Sequence, residues 1–356
     1  MATSDTMEVG YDEFCGALAA KDLQPLWTQS GRLMPQVPHP KTLPWLWKWQ
    51  TMVTLAEKAL ELVPITKGGD RRVLALANPG LGGMPYTSTT LWAAIQYLGP
   101  HESAPAHRHT PSAIRFVIEG EGVWTTVNGD ACDMKPGDLI LTPNWAWHDH
   151  TNAGDKRMVW FDGLDLPFVA NLESIFFERY DGTNQPIVTR NGSEARFAGR
   201  GLRSAIATSS AARSPLLRYP WVDTDRALAA QLKKDGGPIA TIRYVNPEND
   251  ASALPTLGSE MHRLIARKPT PVTRRAGSAV YVVYQGSGAS VIDGVRFEWT
   301  TGDIFVAPSW SKVEHEATVE SNLFAVTDRP ILEALGLYRE ETLDTRQLVT
   351  GTFEPK

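Results

Sequence analysis

The chain of 356 residues is expected to be dominated by β-structure, with two copies of one small barrel following a helical segment. Three observations predict this. From about Arg71 onward, short strand-like runs alternate with turn signals, the pattern of a β-sandwich or barrel. The pattern then repeats: Phe116-Val117-Ile118-Glu119-Gly120 is echoed by Tyr281-Val282-Val283-Tyr284-Gln285-Gly286. Likewise Gly137-Asp138-Leu139-Ile140-Leu141-Thr142-Pro143 is echoed by Gly302-Asp303-Ile304-Phe305-Val306-Ala307-Pro308. Third, His107, His109 and His148 are spaced so that strands can bring them together.

Ahead of the barrels, Trp45, Trp49, Met52, Val53, Ala56, Ala59, Leu60 and Val63 recur at helical spacing, with Thr42 and Pro44 as start signals. The apolar face packs on the body or, through its tryptophans, on another subunit. Strands are then expected over 90–98, 113–118, 122–127, 139–142 and 158–162. Asn128-Gly129 marks a hairpin and Lys135-Pro136-Gly137-Asp138 a second turn. Residues 171–239 are rich in Gly, Ser, Arg and Pro, with a helical stretch over 224–232. A last helix is expected over 330–337. The domains therefore read 1–85 (helical arm and leading strands), 86–170 (metal-binding barrel), 171–238 (linker), 239–328 (second barrel) and 329–356 (C-terminal helix and tail).

Composition narrows the function. The chain is 42% hydrophobic and 21% charged with a net charge of -5. These values suit a soluble globular protein and give no reason to expect nucleic acid or an anionic membrane as partner. No apolar run is long enough to span a bilayer, and the polar, acidic start lacks a signal-peptide core. Cys15 and Cys132 are far apart in sequence, so a reducing cytoplasm fits better than a disulfide framework.

The chemistry rests on the histidines. An i, i+2 pair on a strand, His107 and His109, points both imidazoles to one face, and His148 from a paired strand can complete a three-nitrogen site. Imidazole suits iron, zinc, copper or nickel, and three protein ligands leave positions open for chemistry. His39, His101 and His262 fall outside this set and read as surface or structural residues.

These stretches resemble the two motifs of the cupin superfamily: His107-Arg108-His109 through Arg115 to Gly122, then Gly137, Pro143, His148 and Asn152. Trp145 stands where cupins usually have Gly. Arg115 stands where many supply a Glu ligand, which leaves a neutral three-histidine set. With Thr273, Arg275 and Val313 at the matching positions of the second copy, the chain resembles the gentisate 1,2-dioxygenase group, which includes salicylate and 1-hydroxy-2-naphthoate dioxygenases. The resemblance runs from about Leu26 to Leu337. It implies a bicupin: two double-stranded β-helix, jelly-roll-like barrels with an N-terminal helical segment and short helices, in a cytoplasmic homo-oligomer, by resemblance a homotetramer.

It further implies one Fe(II) per chain, O2 as co-substrate, and ring cleavage of a 2-hydroxybenzoate between its carboxyl- and hydroxyl-bearing carbons. Gentisate, giving maleylpyruvate, is the first choice. Salicylate, 5-substituted salicylates and 1-hydroxy-2-naphthoate are the alternatives, and a non-catalytic ligand-binding bicupin is the reading from another class. Arg115 lies six residues past His109, an even spacing on one strand, so it faces the barrel interior to meet the substrate carboxylate; otherwise it is a solvated surface arginine. Arg71, or Arg72 if the register slips by one, is implied as a second carboxylate contact. His150 is either a partner to the substrate hydroxyl or bound oxygen, or a structural histidine. Asp162 either accepts a hydrogen bond from the ring's second hydroxyl or orients an Arg or His. Trp92, Ala94 and Gln96 alternate onto one face and shape either the aromatic pocket or the core.

Overall fold

The computed structural model describes residues 4–63, 72–198 and 212–355. Met1–His39 forms one unit and Pro40–Lys356 another. Among the described residues the first unit carries the helix Ser4–Ala19 and the short helix Ser30–Leu33. No helix among the described residues is long and apolar enough to cross a membrane.

The second unit is built from four six-stranded sheets, two per barrel. In the first barrel one sheet runs in the order Arg218–Tyr219, Leu139–Thr142, Ala113–Glu119, Met158–Leu164, Trp92–Leu98 and Val73–Ala75. Its facing sheet runs Phe177–Arg179, Ser103–His109, His148–Asn152, Val123–Val127, Asp130–Asp133 and Thr189–Arg190. The second barrel repeats both orders strand for strand, with Ala279–Gln285 in the place of Ala113–Glu119 and Val313–Ala317 in the place of His148–Asn152. The fold is thus the duplicated barrel that the sequence predicts. The Asn128-Gly129 hairpin has both turn residues at positive φ (48° and 86°), and Asp293-Gly294 repeats it (48° and 84°).

Strand alternation gives each central strand two faces. In Ala113–Glu119, residues Ile114, Phe116 and Ile118 face outward into a core shared by both barrels, which also takes in Val280, Val282, Phe324 and Val326. Phe116 stacks on Phe324 with ring centroids 4.2 Å apart and planes 4° from parallel. The opposite face supplies Val117 to the first barrel's own interior cluster.

The repeated Gly-Asp pair has a structural purpose. Trp45–Trp47 precedes the first barrel but pairs with Ile304–Ala307 of the second, and Arg218–Tyr219 precedes the second barrel but pairs with Leu139–Thr142 of the first. A helix follows each exchanged strand, Trp49–Leu62 and Trp221–Asp235. Asp303 accepts the Trp49 backbone N–H (2.8 Å) and the Lys48 ammonium (2.8 Å). Asp138 accepts the Trp221 backbone N–H (2.9 Å) and the Arg218 Nε–H (2.9 Å). A carboxylate at a helix N-terminus satisfies an orphan donor and favours the helix dipole. The glycines are required there: at Gly302 (φ +88°) a Cβ would lie 2.4 Å from the Trp49 ring, and at Gly137 (φ +85°) 2.8 Å from the Trp221 ring.

Two sequence expectations need correction. The apolar run from Trp45 is not all helix: Trp45–Trp47 is a strand and the helix begins at Trp49, because the strand's backbone groups pair with the second barrel's edge. Arg115 and His109 do not share a strand. His109 ends the strand Ser103–His109 and Arg115 belongs to Ala113–Glu119, in the opposite sheet. Arg115 still faces the interior, but through the alternation of its own strand.

Candidate metal centre

His107 and His109 lie on one face of Ser103–His109, and His148 begins the neighbouring strand directly opposite His107. A bulge between Ala104 and His107 sets this pairing, since three residues there span two on the partner. One potential ligand atom from each of the three rings falls within 4.8 Å of the others. Each Nδ1 is spoken for by a backbone carbonyl: His107 by Pro105 (2.9 Å), His109 by Pro111 (2.7 Å) and His148 by Ala146 (3.0 Å). Carbonyls only accept, so every Nδ1 carries the proton and every Nε2 presents its lone pair. This second tier of contacts fixes ring orientation and tautomer for metal binding. His148 Nε2 is wholly buried with no hydrogen-bond partner. Burial, reinforced by His107, Arg115 and His109, holds the His148 ring well below its ordinary pKa and so neutral. An orphaned, neutral, buried imidazole nitrogen facing two others is what a metal ion satisfies.

The triad lines a cavity of about 230 Å³. Trp92, Gln96, Arg115, His150 and Asp162 line it as well. Arg115 and Asp162 are cross-strand neighbours, with Nε and Oδ1 3.5 Å apart. Arg115 also donates to the Thr142 hydroxyl, and the Trp160 Nε1–H donates to Asp162 (3.0 Å). Burial pushes the Asp162 carboxyl up to about 6 although Arg115 and Trp160 pull it down; burial also lowers Arg115. The His150 Nδ1 shares a hydrogen bond with Thr125 (2.8 Å) while the ring borders the cavity.

Other expected residues fall elsewhere. Ala94 is fully buried opposite Asp162 in the sheet register and does not reach the cavity wall. Arg72 is buried away from the cavity, donating to Glu102 and to the Val63 carbonyl (3.3 Å). Arg71 lies outside the described residues. The wall residues that sequence reasoning missed are apolar: Val73, Leu164, Leu166, Ile175 and Phe177 among them. Phe177 pairs with His109 from a strand inside the segment read as linker, and its ring lies 5.5 Å from His107. The run Ile175-Phe176-Phe177 was the available signal. Trp145 adopts φ +58°, which accounts for the glycine usual at that position, and its ring lies under the Arg108 guanidinium at 4.5 Å.

In the second barrel Thr273 and Val313 pair just as His107 and His148 do, so the histidine-free match is one of real position. Among the described residues the triad is the one cluster of this kind.

A double-stranded β-helix barrel holding a histidine triad in its interior defines a cupin, and two barrels of that fold in tandem make this chain a bicupin. The cupin domain family matches residues 94–164. A gentisate 1,2-dioxygenase of a Streptomyces species is 44% identical over 338 residues, covering 92% of this chain and 94% of that protein. A 5-aminosalicylate 1,2-dioxygenase of a Comamonas species is 34% identical, covering 99% of this chain and 97% of its own. The solved salicylate 1,2-dioxygenase from Pseudaminobacter salicylatoxidans superposes with a TM-score of 0.89 at 44% identity, covering 94% and 97%. The chain belongs to the gentisate and salicylate 1,2-dioxygenase family of ring-cleaving enzymes.

Proposed function

We propose that this enzyme opens the ring of gentisate with O2 between the carboxyl-bearing and adjacent hydroxyl-bearing carbons, giving maleylpyruvate. The observation that carries the reading is the convergence of three Nε2 atoms, each fixed by an Nδ1–H to a carbonyl, beside a buried Arg115–Asp162 pair. His107, His109 and His148 hold one Fe(II) per chain. When bound there, Fe(II) supplies open coordination positions for substrate oxygens and O2 and a one-electron couple between them.

The remaining work falls to side chains. Arg115 binds the substrate carboxylate, in the planar geometry that suits guanidinium. Asp162 orients Arg115, its Oδ1 lying 3.5 Å from the guanidinium Nε and held by the Trp160 N–H. His150, held at Nδ1 by Thr125, borders the cavity where the substrate hydroxyl would lie. Trp92, Gln96 and Phe177 border the space for the ring, and Ala94 keeps the sheet beside Asp162 free of bulk. Holding the reactants side by side is the principal source of rate.

A second reading, the same cleavage on salicylate or its 5-substituted forms, is favoured by the 44% identity to a solved salicylate 1,2-dioxygenase. We further propose a cytoplasmic homotetramer; exposed Leu172 and Phe176 beside the cavity's Ile175 are suited to a subunit contact. The test is anaerobic reconstitution with Fe(II), then O2 uptake and ring-opened product absorbance over 2-hydroxybenzoates with and without a 5-hydroxyl. Gentisate should give the highest kcat/KM. No O2 uptake with any member would sink the proposal, and a preference for salicylate would favour the second reading.

A further inference from the structure

The second barrel also encloses a cavity, of about 300 Å³ against about 230 Å³ in the first. Thr273, Arg275 and Val313 line it in the triad's positions, so those positions offer no histidine to a metal. Its charges are already balanced. Arg275 lies 3.2 Å from Glu260 and donates to the Tyr281 hydroxyl (2.9 Å), while Arg329 at the rim is paired with Glu333 (2.7 Å). A compensated buried pair gains little from a further net charge, which would carry its full desolvation cost.

What remains unsatisfied is neutral. His262 is 7% exposed and borders the cavity. Its Nδ1 shares a hydrogen bond with Thr241 (2.8 Å), and its buried Nε2 has no hydrogen-bond partner. Glu260 Oε2 lies 3.5 Å away, outside hydrogen-bonding geometry. Burial pushes the imidazole down to about 4, so the ring is neutral at pH 7 and offers one hydrogen bond. Ile239, Pro271 and Val313 supply apolar wall in the same cavity.

We propose that the second barrel is a metal-independent binding site for a neutral phenol, its hydroxyl on His262 Nε2 and its ring against Ile239, Pro271 and Val313. The cavity exceeds the one that must admit a benzoate ring in the first barrel, and one orphaned polar atom in a partly apolar wall matches a ligand with one polar group. The site stands apart from the ring-cleaving centre and does not depend on its substrate.

The test is crystallographic and in solution. Crystals of the full chain soaked in para-bromophenol should show an anomalous bromine peak in the second barrel beside His262. Fluorine NMR titration with para-fluorophenol should give a site that His262→Phe weakens about tenfold, the scale of one buried hydrogen bond. Val313→Trp, which fills the cavity, should remove that site and leave ring cleavage intact. Bromine in the first barrel alone, affinity unchanged in both variants, or tighter binding of para-bromobenzoate than of para-bromophenol in the second barrel would each overturn the proposal.

Discussion

His107 and His148 face each other across two antiparallel strands, and the same two positions in the second barrel hold Thr273 and Val313. One barrel geometry therefore carries two different interiors, and the metal centre depends on side chains alone.

His148→Ala should remove the metal. The variant loses the most deeply buried of three ligands, and His107 and His109 from one strand leave an incomplete set. Elemental analysis after anaerobic loading should show iron per chain falling to near zero while the far-ultraviolet circular dichroism is kept. One iron per chain in the variant would show that another group completes the site.

Asp162 should set an acid limb in the pH profile. Burial holds its carboxyl at about 6, above the ordinary carboxylate value, so it takes up a proton earlier on acidification. The ion pair with Arg115 is then complete only above about 6 and is lost as pH falls through that value. kcat/KM should decline below pH 6 in the wild type. Asp162→Asn should abolish that limb and lower kcat/KM about a hundredfold at neutral pH, as expected for stranding one partner of a buried pair at ~3 kcal/mol. A limb unchanged in the variant would assign it to another group.

Phe116→Ala should separate the barrels energetically without touching the centre. Phe116 is wholly buried against Phe324 in the shared core. Its truncation should cost about 3–5 kcal/mol in urea unfolding, while iron content at 25 °C stays near that of the wild type. A cost below about 1 kcal/mol would mean that the stack is not central to the shared core.

Asp303→Ala should destabilise by about 1–3 kcal/mol, through loss of the Trp49 cap and the Lys48 contact. Asp138→Ala should cost at least as much, because Arg218 would remain buried without that partner. Chemical denaturation of both variants checks the order; a negligible loss in either would show that the exchanged helix does not depend on its carboxylate.

The legible parts of the centre share one property: they are local. His107 and His109 belong to one strand, and period-two alternation alone puts both imidazoles on one face. The same rule groups Trp92, Ala94 and Gln96 on one face, of which Trp92 and Gln96 line the cavity and Ala94 does not. Arg115 faces the interior through its own strand's alternation, because the even count from His109 crosses a turn between two sheets. Phe177 and Val73 were not found, because each lies on a short edge strand whose place is set by its partner, His109's strand in one case and Gln96's in the other.

By itself the sequence determined the duplicated β-architecture, the histidine triad and the absence of a matching triad in the second copy. Each follows from residue identity, spacing and the two-residue period of a strand. Only the tertiary structure decided that strands are exchanged between the barrels, that Arg72 is taken up by Glu102, and that Asp162 pairs with Arg115 and Trp160. Those outcomes depend on long-range register, on which edge a short strand finds and on which neighbours satisfy a buried charge. No local pattern encodes such pairings, because hydrogen bonds and charges are satisfied by whatever the fold brings within about 3 Å.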